Sequence, residues 1–234
     1  MYHGILAAIL LARFLLRRAS DEAAPQPPSR GGRLPNLTDQ AVERRLRALD
    51  LEGARYSLSD RSEEGEDLLS TQVARADIAF IEVLLNGDPT DALKAHDVLR
   101  FSLALPDRYR LCANALISWL VVDRPDAARD VVEIDYPKVH RNIMLGEVRH
   151  RLSLAKDGFD AIAGAQEDAC DRLEHRSRHG VCALHRWASA VFLSHAAKRR
   201  GDLELARYWL DQAHVINHQT CVPVLRIRLA SPCT

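Results

Sequence analysis

The sequence predicts an all-α fold in which antiparallel helical hairpins repeat and stack as a short α-solenoid. Three observations predict it. A six-residue pattern with Asp second and Ala sixth recurs four times, at residues 87–92, 122–127, 156–161 and 201–206. Its alanines, Ala92, Ala127, Ala161 and Ala206, stand 35, 34 and 45 residues apart, a period at which each unit buries its apolar face only against its neighbours. Between these turns the apolar residues recur three and four apart, which is the spacing of one helix face.

Composition agrees with a globular array and narrows its partners. Lys plus Arg and Asp plus Glu number 32 each, so no overall charge draws the chain to nucleic acid or to an anionic membrane. The hydrophobic share of 47% is enough for a core. Cys112, Cys170, Cys182, Cys221 and Cys233 are odd in number and contain no Cys-x-x-Cys pair. That pattern predicts free, mostly buried thiols rather than a disulfide framework.

Residues 1–20 form an apolar N-terminal segment. Residues 4–16 are apolar apart from Arg13, and Arg17-Arg18 closes the run. Thirteen helical residues rise about 20 Å against a hydrocarbon layer of about 30 Å, so a span has to start at Met1 and let the arginines reach the headgroups. The favoured expectation is a membrane contact through residues 1–18, with the two arginines holding the repeat domain in the cytoplasm. A transit peptide for organellar import is the alternative, since the first twenty residues carry three arginines and no acid. A third reading is an apolar helix that docks on the array.

Residues 21–65 are expected to be a linker with one short helix. Pro25, Pro27, Pro28, Gly31, Gly32 and Pro35 cannot build a core. Thr38 starts the helix, which presents Val42, Leu46 and Leu49. Residues 52–67, polar and acidic with Gly53 and Gly65, predict a mobile loop.

The repeat domain is expected over residues 66–218. Ala76, Phe80, Val83 and Leu84 make one face of a helix that stops near Asn86-Gly87. Asp88 then stands at the cap and Pro89 at the first helical position, opening a helix that ends at Pro106. Asp107 caps the next helix, with Leu111, Ala115, Leu116 and Trp119 on its face, and Asp123 restarts the cycle. The 45-residue step places a long helix from Phe159 to about His175, or an inserted loop after it. Ala at the sixth place fits a crossing at which two helix axes approach to about 8–10 Å. Residues 219–234 form a C-terminal cap or tail, with a capping helix favoured over a short strand at 225–229.

These repeats resemble tetratricopeptide repeats over roughly residues 70–218. The last unit carries the likeness best, through Ala190, Leu193, Ser194, Ala197, Gly201, Ala206, Leu210 and Ala213. The second adds Leu111, Ala115, Ser118, Ala127 and Pro137. In the third, Arg149 and Asp168 stand where the family has small residues. The resemblance implies a TPR-like solenoid and a non-enzymatic scaffold or adaptor that binds a partner peptide or helix in its groove; the expectation of a membrane tether comes from the apolar residues 1–18. Polar residues on first helices, Asn114, Arg149, His185 and Arg186, are the groove positions such a role would use. The alternative is a pentatricopeptide-like RNA-binding array, suggested by residues 111–117 and the near 35-residue period. Against it, the positions matching Asn114 in the first and third units are Ala79 and Arg149, and residues 71–234 carry 22 basic against 21 acidic groups.

No phosphate-cradling glycine loop, dinucleotide fingerprint or hydrolase motif occurs, so neither an enzyme nor a cofactor is expected. Cys170, His175, His179, Cys182 and His185 are the residue types zinc prefers. Their spacing fits no common finger and Gly180 divides them, so no zinc site is expected there. Seven basic groups and three acids between 168 and 200 make a basic stretch that reads first as a solvated helix face.

Overall fold

Residues 37–63, 68–88, 90, 105–130, 132, 146–164 and 166–217 are described by a computed structural model. The chain divides at Leu37 and Thr38 into two units, and every described residue but Leu37 belongs to the second. Nine helices occur among the described residues, and no strand. They are α1 (Leu37–Ala48), α2 (Leu51–Glu63), α3 (Leu68–Asn86), α4 (Leu105–Val121), α5 (Pro125–Asp130), α6 (Gly146–Ala163), α7 (Glu167–His179), α8 (Ala183–Arg199) and α9 (Leu203–Ile216). The all-helical expectation holds across them. Residues 1–20, 91–104 and 219–234, with the anchor, the helix after Pro89 and the terminal cap expected there, lie outside the described residues. Among those that are described, no helix is long and apolar enough to cross a membrane.

Helices α3, α4, α6 and α8 pack one on the next in chain order. Helix α5 lies against α4 and α6, α7 against α6 and α8, and α9 against α8, while α2 packs on α3. One apolar cluster threads them, from Val42 in α1 through Phe80, Leu116, Leu154 and Trp187 to Ala213 in α9. Helix α9 shows how the sequence chooses its inward face: Ala206, Trp209 and Ala213 are buried three and four apart. Helix α8 touches α4, α6, α7 and α9, and its residues from Leu184 to Ala197 are buried all round apart from half-buried Arg186.

Turns expected at 87–88 and 201–202 are present. Gly87 and Gly201 have φ of +77° and +82°, the left-handed region that ends a helix at no steric cost for glycine. Asp202 Oδ1 accepts the Leu205 N–H at 2.9 Å, and Asp88 Oδ1 accepts the Thr90 N–H at 2.9 Å. Asp123 departs from the pattern. It is itself left-handed, with φ of 59°, and its carboxylate faces α8 rather than the start of α5. At the fourth-helix boundary, α4 begins at Leu105, so Pro106 and Asp107 fall within its first turn rather than before it. Pro106 costs little there, because the first N–H groups of a helix have no partner in any case.

Residues 156–161, expected to be a turn, are corrected to helix. Helix α6 runs unbroken through them to Ala163, and the next helix, α7, begins at Glu167. Asp157 is buried in mid-helix, where Arg172 Nε and Arg176 Nη1 donate to its two oxygens at 2.8 and 2.9 Å. Gly158 faces Phe192, whose Cδ2 would lie 2.4 Å from a Cβ at that place. Asp-Gly is a turn signal in isolation. Here two arginines and an aromatic ring from neighbouring helices use the acid and the missing side chain instead. The expected long helix from Phe159 to His175 is accordingly the end of α6 and the separate helix α7.

The expected loop at 52–67 is also corrected, because Leu51–Glu63 is helical. Asp50 Oδ1 accepts the Gly53 N–H at 3.0 Å as an N-cap, and Leu51, Ala54 and Leu58 are buried at helical spacing. Packing therefore begins in α1, with Val42 and Leu46 in the common cluster, and not at residue 66. Two helices, not one, occupy the described part of 21–65.

At the last hairpin Ala206 is fully buried, and Ser194 Oγ of α8 donates to the Ala206 carbonyl at 2.8 Å. Ala206→Leu is expected to destabilise by about 1–3 kcal/mol through overpacking, and an unmoved urea midpoint would refute the crossing. In α5 the matching enclosed position is Ala128, also fully buried, while Ala127 is half-buried.

Candidate functional site

A polar chain crosses four helices inside the apolar cluster. Arg110 and Asn114 lie four apart on α4 and so share one side of it. Arg110 Nη1 donates to Asp77 Oδ1 of α3, and Asn114 Nδ2 reaches the same oxygen at 3.5 Å. On its other side Asn114 Oδ1 accepts from Arg151 Nη1 of α6 at 3.1 Å. Arg151 Nη2 donates in turn to Glu43 Oε1 of α1. Arg151 is 1% exposed, so its charge is almost wholly removed from water. Two carboxylates and two guanidiniums balance, and the pairing offsets the cost of taking each charge out of solvent. Burial pushes the Asp77 carboxyl above its ordinary value, against the opposing pull of the Arg110 guanidinium. Asp77 is buried and both donors meet its Oδ1; the arrangement positions α1, α3, α4 and α6.

A second polar cluster joins the α4–α5 turn to α8. Arg199 Nε donates to Asp123 Oδ1 at 3.0 Å, and Lys198 Nζ stands 3.6 Å from Asp123 Oδ2. His195 Nε2 lies 2.9 Å from the Val121 carbonyl. A carbonyl only accepts, so Nε2 carries the proton, and Nδ1 faces Asp123 Oδ2 at 4.0 Å. Burial pulls the His195 ring below the ordinary imidazole range; the Asp123 carboxylate opposes this, and Lys198 and Arg199 add to it. As pH drops through about 6.5, the unfolded chain takes a proton that the native ring resists, so native stability falls with pH. His195→Gln is expected to flatten the decline in urea midpoint between pH 7.5 and 5.5. Equal declines in the two proteins would disprove this role for the ring.

The four expected partner-binding residues separate. Asn114 and His185 are buried, at 3% and 1% exposure, and are corrected from groove positions to interior ones. Asn114 is taken up by the polar chain. His185 lies on α8, whose apolar and small residues on every side are the sign of an enclosed helix. Arg149 on α6 is exposed and Arg186 on α8 half-buried, so these two remain at the surface. Sequence reasoning missed Asp77, Arg151 and Glu43. The available signal was Asp77 and Arg151 on otherwise core-facing helical positions, where a charge has to find a partner.

Among the described residues, no group of three or more His, Cys, Asp or Glu side chains gathers as a metal site. Within the 170–185 group, Cys170 Sγ accepts from Arg200 Nη1 at 3.1 Å and His185 is interior. Comparison with protein-family models, curated proteins and solved structures finds no match, so the site's geometry stands by itself.

Proposed function

We propose that the chain is a non-enzymatic scaffold, a TPR-like solenoid that binds a peptide or helix of a partner protein in a groove, at the positions its first helices leave at the surface. The observation that carries this reading is the serial packing of α3, α4, α6 and α8, each on the next, with α5, α7 and α9 as their companions. That order is the one expected of stacked hairpins, whose first helices line a concave face. It is supported by the polar chain, which spends its charges on holding helices in register rather than on an accessible reactive group. Arg149 and Arg186 are the surface positions at which the partner is gripped, and they suit an acidic segment. The tether through residues 1–18 belongs to the same proposal.

Charge reversal tests it. Immobilised full-length protein is expected to retain a protein partner that the double variant Arg149→Glu, Arg186→Glu releases while its urea midpoint stays unchanged. Equal retention by both proteins overturns the groove assignment. Salt-sensitive retention of RNA in place of a protein would move the array to the RNA-binding class.

A further inference from the structure

We propose that His175 and His179 form a surface chelate for one divalent cation of the zinc and copper class, with water completing its coordination. Both histidines are exposed on the last turns of α7, four residues apart and hence on one side of the helix. Their ring centroids are 5.0 Å apart and the rings are tilted by 46°, so they are not stacked on each other. A bond of about 2.0–2.1 Å from each imidazole nitrogen to one tetrahedral metal places two ring centres on the order of 5 Å apart. The pair therefore stands at the separation that a shared metal requires, and binding needs side-chain rotation but no backbone movement.

The stretch is basic overall, but the guanidiniums nearest the pair are neutralised, that of Arg172 by Asp157. Arg176 is turned inward to Asp157, and Arg178 is held by Glu174, so both flanking guanidiniums are already paired with carboxylates. The pair sits at the C-terminal end of α7, where the helix dipole is negative. Exposed Asp171 lies one turn before His175 and adds negative charge to the same side. Imidazole pairs select zinc, copper and nickel over magnesium or calcium, which prefer oxygen ligands. With two protein donors the site is open and exchanges its metal, unlike a closed structural zinc site of four ligands.

Zinc ion is the probe, added to full-length protein freed of metal by a chelator. Histidine modification by diethylpyrocarbonate, mapped by peptide mass spectrometry, is expected to slow at His175 and His179 when zinc is present. Exposed His150 should react at the same rate with and without it. His175→Ala and His179→Ala should each lower zinc affinity for this equivalent by at least roughly 10-fold, the lower end of the about 10–100-fold that losing a supporting partner of a ligand costs. Both positions are exposed, so circular dichroism without metal should match the wild type. Unchanged modification of both rings at saturating zinc overturns the site, as does equal zinc affinity in wild type and both variants.

Discussion

Arg151→Ala is expected to cost about 3–5 kcal/mol of folding free energy, the range for breaking a buried charge pair by removing one partner. The loss has two sources. Glu43 and Asn114 lose the guanidinium that donates to both, and the side chain, among the largest that are fully enclosed, leaves a hole in the packing of α6. Arg151→Met separates them, because methionine refills most of the volume without a donor. Its cost should be clearly smaller, and combining it with Glu43→Gln, which removes the unpaired charge, should recover more. Chemical denaturation of the four proteins measures both terms. An Arg151→Ala midpoint within error of the wild type would mean that the polar chain does not hold the helices.

Phe192→Ala is the second large loss, again about 3–5 kcal/mol. Phe192 is fully buried on α8, and its ring occupies the space that a Cβ on Gly158 would fill. The pair therefore has a diagnostic coupling. In the wild type, Gly158→Ala pushes methyl against ring and costs about 1–3 kcal/mol by overpacking, less up to about 1 kcal/mol because alanine favours the helix. With Phe192→Ala already made, the ring is gone and only the helix preference remains. Gly158→Ala should then stabilise. A sign that does not change between the two backgrounds would show that the ring does not fill that place.

What could be read in the sequence was what is decided locally. Gly87, Gly201 and the capping Asp202 announce their turns because left-handed backbone and a free N–H are properties of a few adjacent residues. The buried stripe of Ala206, Trp209 and Ala213 is legible for the same reason. Asp157-Gly158 misleads because the dipeptide is local and its use is not. Arg172, Arg176 and Phe192 decide it from 15 to 34 residues away. Helix α2 was hidden by the polar residues between Leu51, Ala54 and Leu58, although Asp50 and that spacing would have revealed it. For the candidate site, two of the four groove residues, Asn114 and His185, were assigned by polarity to positions that lie in the interior: Asn114 looked like a surface contact and is a hydrogen-bonding bridge between Asp77 and Arg151.

The tie between Asp123 and Arg199, with Val121 and His195 beside it, also bears on how the chain folds. In a stack whose units meet only neighbours, the ends fray and each hairpin opens nearly alone. Here the end of α4 is bonded to the end of α8 across 74 and 76 residues, and the two helices also touch directly. The loop thus closed contains α5, α6 and α7, so these helices gain less chain entropy on detaching while α4 stays against α8. Closing it costs chain entropy before any reward is collected, which raises the contact order and slows folding relative to a purely local array. Amide hydrogen exchange should accordingly report α4 and α6 to α8 as one cooperative opening, and not as a series of hairpins.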